Sequence, residues 1–558
     1  MAFNVFAFLW QVQRLGFVAQ MATLPLRDDN GVSRLPFQVL TLPLLYCLLR
    51  PHCLQSFYFS GILSASAMLW RYISDGLNSA LSYLLFVEVL FLVRCVPTIL
   101  RMMRKNDQAN QTTENWHHLM LKDISKCCRD SATLLYFLSG LHKMNFDYFV
   151  PAKGCAFTMI AGNLGLYTPS LLKYAHHFGW AATISSVVLE FGHPLITMYA
   201  QWNKFEVLLL TAFHLGINTP APYGAPTFTY LMIHVLCVCN LDLYDEMCAI
   251  LRSIWALVAL IVKRYVSSFT LCLSVVIISL GMANLPLETL CLGNEEIEVA
   301  VMIYNVIGAV LLVMSAYRQI TGRSYIRMEQ SEQDCQIQTS PTSTIRHGLH
   351  VRLMYIMILL LMLLHGLQPY FGLSTIGVFS MYSNLQPYAT TSNGETNKHF
   401  FMPRKQSQLQ GHHVKVLEST SSTFLCAAIQ QDRPEIRSLL HDIGINSTIV
   451  YTPLMYFHRI AIGNTFEDCH DYERDVDLVF RPYMMTKTQF ARLALAKRNE
   501  DSPSYVKYQD MQTNDINILH LPMKERESYP VFDENTWTES LLYTVPFYEE
   551  DPSLCYTA

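Results

Sequence analysis

Charge is what this 558-residue sequence has least of. Only 15% of its residues are Asp, Glu, Lys or Arg, and 51% are hydrophobic; an ordinary globular chain carries roughly 25% charged residues. The deficit excludes a water-facing surface along most of the chain and points to a multi-pass membrane protein. Nor is either sign in excess: the formal net charge of −4 leaves no basic surface, so no nucleic-acid partner is expected. The 15 cysteines contain no CxxC pair and sit mostly in apolar segments, Cys237 and Cys239 among them. Neither a zinc site nor a disulfide scaffold is indicated, and no metal is expected. No internal repeat is visible. The apolar start MAFNVFAFLW lacks the basic region and small-residue cleavage site of a removable signal peptide.

What is present is a succession of apolar runs. After a polar patch at 27–34 and a segment broken by Pro36 and Pro43, runs lie near 54–70 and 79–100. Eight more follow near 131–149, 155–172, 179–200, 205–217, 226–243, 247–263, 266–286 and 299–316, with a last one at 352–370. Two polar, Arg/Lys-bearing stretches, about 101–130 and 317–351, read as loops. The positive-inside rule assigns both to the cytosol, and the eight runs between them satisfy the parity this requires. Residues 1–370 are thus expected to form an all-α multi-pass membrane bundle in contact with membrane lipids. Residues 371–558 are expected to form a smaller C-terminal α+β region on the lumenal or extracellular side. The sequon at Asn446 falls on that side and the sequon at Asn110 on the other.

Within this pattern the stretch LLYFLSGLHKMNFDYFV, residues 134–150, places Lys143 inside an apolar run. A charge at membrane depth costs about 2.5–3.5 kcal/mol on insertion scales and commonly faces a polar cavity. The plainer reading is a lysine snorkelling to the interface, with Asp147 one turn on as its partner. At 1.5 Å per residue, Lys143 and Glu190 lie about 17–18 Å from the cytosolic ends of their runs, and His214 about 13 Å from the lumenal end of its own. Three ionisable residues therefore reach a common depth. Glu190 and His193 have the i, i+3 spacing of carboxylate metal sites, but a single copy does not make one. His214 can equally be a core histidine hydrogen-bonded to Asn218 one turn later. Pro194, Pro220, Pro222 and Pro226 would interrupt helices nearby, which favours a cavity.

LLYFLSGLHKMNFDYF resembles the motif around the active-site lysine of the vitamin K-dependent gamma-glutamyl carboxylases. VVLEFGHPLITMYAQWNKFEVLLLTAFHLGI resembles the acid-to-histidine stretch of the wider horizontally transferred transmembrane (HTTM) family that contains them. GLSTIGVFSMYSNLQ resembles the segment that leaves their last membrane helix. The likeness covers roughly residues 35–410. It implies an integral protein of the endoplasmic reticulum membrane with a carboxylase-like, carbon–carbon lyase activity. The implied cofactor is vitamin K hydroquinone, used with O2 and CO2 on a Glu-containing protein or peptide. Lys143 would be the base, with His214 and Glu190 beside it; an apolar site favours the free amine that a base requires. Ser139 and Gly140 would let a flat ring approach the helix, and Asn218 would help bind it. Two departures stand out: His142 replaces a second lysine, and the carboxylases' upstream histidine-aromatic motif has no match, since Trp116, His117 and His118 fall in the first polar stretch.

In the C-terminal region, HVKVLES, STIVYTPLMYF and NDINILHLP read as strands, and TFLCAAIQQ through IRSLLHD as a helix. Cys426, Cys469 and Cys555 leave room for one disulfide. Two other classes fit the residues. One is a non-carboxylating lipid-binding or transport protein using Lys143, Glu190 and His214 as a relay, and the other is a catalytically inactive scaffold.

Overall fold

Residues 113–142 form one helix because polar side chains on it find partners on either side. In the computed structural model this helix is α5 (Thr113–His142). Arg94 Nε donates to Asp123 at 2.9 Å, Lys126 pairs with Asp130 at 3.0 Å one turn on, and the Tyr355 hydroxyl donates to Asp130 at 2.8 Å. The stretch 101–130, expected as a loop from its charges, is therefore helical from Thr113. The charged residues lace α5 to its neighbours instead of marking a connection.

The structure describes residues 2–23, 35–48, 53–75, 79–104, 113–149, 154–157, 169–197, 202–218, 226–249 and 348–371. In the C-terminal part it describes 413–419, 428–430, 476–478, 483–487, 504–510, 513–521 and 547–548, together with a few single residues. The apolar runs near 247–286 and 299–316, the polar stretch 317–347, both sequons, residues 447–457 and the three C-terminal cysteines lie outside these, apart from 247–249.

On α5 pack α1 (Ala2–Thr23) and α4 (Ser79–Arg104); α2 (Leu35–Leu48) packs on α1, and α3 (Leu54–Asp75) packs on α1, α2 and α4. A short α6 (Phe146–Phe149) follows α5. Then come α7 (Ala175–Val187), a π-helical segment (Val188–Gly192) and α8 (His193–Thr197), which together form one broken helix. Helices α9 (Lys204–Asn218) and α10 (Pro226–Cys239) pack on each other, and α10 packs on α5. Pro226 opens α10, where its missing N–H has no partner to lose. Helix α11 (Leu349–Gly366) lies on α4 and α5.

The first helices are joined by a buried ion pair. Arg14 on α1 donates from Nε and Nη2 to the two carboxylate oxygens of Glu88 on α4, both at 2.6 Å. Its Nη1 reaches Phe57 O and Ser60 Oγ on α3, and Trp10 Nε1 donates to Glu88 at 2.9 Å. Arg14 and Glu88 are 1% and 0% exposed. Every charge in the group is met, and this is the condition under which a buried pair is tolerated.

Among the described residues one helix, α11, is long and apolar enough to cross a membrane. It buries Tyr355, Ile358 and Met362 against the bundle and leaves Leu353, Ile356, Met357, Leu360, Leu361 and Leu364 about half exposed or more. Of its length, 33% is buried.

The C-terminal part contains β1 (His413–Ser419), β2 (Ala428–Gln430), β3 (Val476–Leu478), β4 (Tyr483–Thr486), β5 (Ser504–Asp510), β6 (Ile516–Leu521) and β7 (Phe547–Tyr548). Five of them form an antiparallel sheet in the order β6-β5-β1-β4-β7, and β2 pairs with β3. HVKVLES and the INILHL portion of NDINILHLP are strands, as expected. The hairpin between β5 and β6 turns through Asn514 at φ 63°, a conformation asparagine tolerates. Ala428–Gln430 lies in the expected helix but is extended. Its ladder with Val476–Leu478 satisfies the backbone across the chain, which overrides local helix preference.

Candidate functional site

Helix α5 ends at His142, one residue before Lys143. The Lys143 and Met144 amides bond to carbonyls three residues back, tightening the last turn. Asn145 holds the break from both sides: its Nδ2 donates to His142 O, and its Oδ1 accepts the Tyr148 amide, each at 2.9 Å. Phe400 N donates to Met144 O at 3.0 Å, so the C-terminal portion of the chain touches this turn. Lys143 is therefore not in mid-helix as the apolar run suggests. It sits on a fixed turn where the helix stops.

The lysine is 3% exposed and does not snorkel. Its Nζ forms an ion pair with Glu190 Oε2, and donates to Ser139 Oγ at 2.9 Å. Ser139 Oγ in turn donates to the same Glu190 oxygen at 2.7 Å. Glu190, a partner of Lys143, lies 47 residues on, and the side chain of Asp147 lies outside the described residues.

Glu190 reaches α5 because its own helix is widened there. The His193 amide bonds to Val188 O, five residues back, so 188–192 form a π turn. Pro194 explains it: in a regular helix its ring would collide with the carbonyl of Glu190 and leave that carbonyl unpaired. Such single π turns often accompany functional sites. Gly140 completes the fit. A Cβ there would lie 2.5 Å from Phe191 N and 2.6 Å from Glu190 C. Gly140 thus makes room for the π segment's backbone. Gly140→Ala should force the segments apart and cost about 1–3 kcal/mol, as overpacking does. Thermal unfolding of the purified protein measures this; a variant as stable as the wild type would contradict the close approach.

Tyr136, Ser139 and Lys143 follow i, i+3, i+7 spacing and share one face of α5. The Tyr136 hydroxyl lies 2.7 Å from His214 Nε2. Tyr136 thus links His214 to the helix whose end carries the Lys143–Glu190 pair. The ring of Tyr136 is 5.8 Å from that of His214 and 6.3 Å from that of Trp202, and Trp202 is 5.2 Å from His193. His142, next to Lys143 in the chain, is buried and stacks on Tyr370 at 5.4 Å.

Sequence reasoning missed Tyr136 and Trp202. Trp202 precedes an N-terminal capping box: Asn203 Oδ1 accepts the Glu206 amide at 2.9 Å, and Glu206 accepts the Asn203 amide at 2.7 Å. The signal was legible in NKFE. Asn240 Nδ2 also donates to Trp202 O at 2.9 Å. Asn218 ends α9, and its side chain lies outside the described residues. Among the described residues Trp202 Nε1, both ring nitrogens of His193 and His214 Nδ1 are buried without a hydrogen-bond partner. Stranded donors of this kind call for an acceptor, from water or from a ligand.

Compared with protein-family models, curated proteins and solved structures, the chain matches none.

Proposed function

We propose that the chain is a multi-pass membrane protein of the HTTM type, related in chemistry to the vitamin K-dependent gamma-glutamyl carboxylases. Lys143 is its base and a hydroquinone its cofactor. The observation that carries the reading is the buried Lys143–Glu190–Ser139 group beside the Tyr136–His214 pair. A base must accept a proton, and Lys143 can do so only as a free amine. Its contact with Glu190 offers the means: passing one proton from the ammonium to the carboxylate leaves both partners neutral, with no net charge change in an apolar site. Ser139 bonds to both partners and keeps them in register during that transfer. The stranded donors on Trp202 and His193 suit an oxygen-bearing ring. When bound, the hydroquinone supplies, with O2 and CO2, the oxidation that drives carboxylation of glutamyl residues.

The lipid-like face of α11 supports the membrane reading. Leu195, Ile196 and Phe205 are also exposed near the site, and water-soluble monomers rarely present so much apolar surface. Cys155 is disulfide-bonded, whereas Cys127 and Cys128, earlier on α5, are free. A disulfide just beyond the Lys143 turn supports that end facing an oxidising lumen. The orientation predicts glycosylation at Asn446 and none at Asn110. Loss of glycosidase-sensitive mass on Asn110→Gln, with none on Asn446→Gln, would reverse it.

One observation favours a relative that does not carboxylate. His142, stacked on Tyr370, occupies the position of a lysine in the carboxylases, so a quinone- or lipid-binding role without carbon transfer is the second reading. Incubation of purified protein with vitamin K hydroquinone, labelled bicarbonate and Glu-containing peptides separates the two. Epoxide with incorporated label supports carboxylation, and epoxide alone supports the second reading. Absence of both removes the hydroquinone chemistry.

A further inference from the structure

Among the described residues, β6 pairs with β5 on one side and is the outermost strand of the order β6-β5-β1-β4-β7. Edge strands are normally blunted by charge, proline or brevity, because their open main-chain groups template pairing with another chain. β6 has none of these guards. Its six residues, INILHL, include no Asp, Glu, Lys, Arg or Pro, whereas β7 at the opposite edge is two residues long. Ile516 and Ile518 are 59% and 49% exposed, while Leu519 is buried.

The register shows which groups of β6 are open. Asp510 N donates to Asp515 O at 2.9 Å, and the next pair along the ladder is Gln509 with Ile516. Opposite residues in an antiparallel ladder alternate between hydrogen-bonded and non-hydrogen-bonded pairs. Ile516, Ile518 and His520, opposite Gln509, Lys507 and Tyr505, therefore fall in pairs of the second kind. Their N–H and C=O groups point away from β5, toward the open edge. The same three residues share one face of the sheet, since side chains alternate along a strand.

We propose that β6 is a self-association edge, on which β6 of a second copy of this chain pairs antiparallel across a two-fold axis at Ile518. The three edge-directed residues are spaced evenly about Ile518. The axis therefore sets Ile518 opposite the partner's Ile518, and Ile516 opposite the partner's His520. Each such pair exchanges two main-chain hydrogen bonds. A two-fold contact needs a surface that complements itself. β6 meets that condition, because in this register none of its six residues sets a charge against a like charge. Ile516 and Ile518 of both copies then line one face of a continuous sheet, and isoleucines that a single copy leaves in solvent become neighbours. Lys507, beside Ile518 on β5, lies three strand spacings from its counterpart, about 14 Å, beyond the screening length at physiological salt. Pro522, which follows β6 directly, ends the ladder there. The contact is independent of whatever reaction Lys143 performs.

Sedimentation velocity of the purified full-length chain in detergent tests this over a dilution series. The wild type should show a monomer–dimer equilibrium that dissociates on dilution, because the seam is smaller than a permanent interface. Ile518→Lys puts two lysines face to face at the axis. It should weaken dimerisation by roughly 5–30-fold without shifting thermal unfolding, since the side chain is exposed. Ile516→Lys combined with His520→Asp sets unlike charges opposite each other in the stated register and should dimerise at least as well as the wild type. Ile518→Cys should give a covalent dimer with a short bis-maleimide under conditions where the wild type gives none; this cross-link and the charge pair decide the matter if Ile518→Lys does not fold. A wild type that stays monomeric over the whole series overturns the inference. So does a dimer that Ile518→Lys leaves intact, which would put the contact on another surface, or a dimer of Ile518→Cys that does not cross-link.

Discussion

Lys143→Arg is expected to yield a folded, normally expressed protein whose turnover falls by roughly 10²–10⁴-fold, the usual cost of losing a general base. Arginine keeps the positive charge and can pair with Glu190, so the buried carboxylate stays compensated. It cannot, however, give its proton to Glu190, because a guanidinium holds it to a pH above about 12. The geometry also makes Lys143→Ala a poor test by itself. Alanine strands Glu190, 5% exposed, without its cation, and breaking a buried pair typically costs about 3–5 kcal/mol. A lost activity in that variant would then mix chemistry with misfolding. Lys143→Ala with Glu190→Ala removes both charges and should recover yield without recovering activity. Full activity in Lys143→Arg, scored as epoxide and incorporated label, would make Lys143 a structural cation.

The largest effect on stability is expected at the opposite network. Arg14→Ala leaves Glu88 wholly buried with Trp10 as its remaining side-chain donor, and should destabilise the protein by about 3–5 kcal/mol. Thermal unfolding in detergent and recovered yield report this directly. The double change Arg14→Met with Glu88→Leu removes both charges and should restore most of the loss, since apolar replacement of a buried pair is often neutral or better. Normal stability in Arg14→Ala would mean that the pair does not hold α1 to α4.

These two networks also show what was legible in the residues alone. Lys143, Glu190 and His214 were visible because each is a lone ionisable group in an apolar run. Glu88, in FVEVLF, was just as anomalous, but its partner lies 74 residues away on a helix whose charge is a single arginine. The π turn was not readable in advance; only Pro194 hinted at it. Charge density misled at 101–130, because ion pairs between helices have the same composition as a solvated loop. Tyr136 and Trp202 were hidden for a simpler reason: aromatic residues are expected in a core, and only the geometry shows which of them leave a polar atom unmet. The short strand Ala428–Gln430 was invisible because its partner is far along the chain.

The bond from Phe400 to the Met144 carbonyl has a consequence in time rather than in space. The turn that carries Lys143 is finished by a residue made roughly 256 positions later. At 5–20 residues per second, that is a wait of roughly 10–50 s during synthesis. The lysine, its glutamate and its serine can all be made and packed while the turn beneath them still lacks its last tether. Chains truncated shortly before residue 400 should therefore pack these helices yet stay susceptible to proteolysis at 143–149, a vulnerability that disappears once Phe400 has been added.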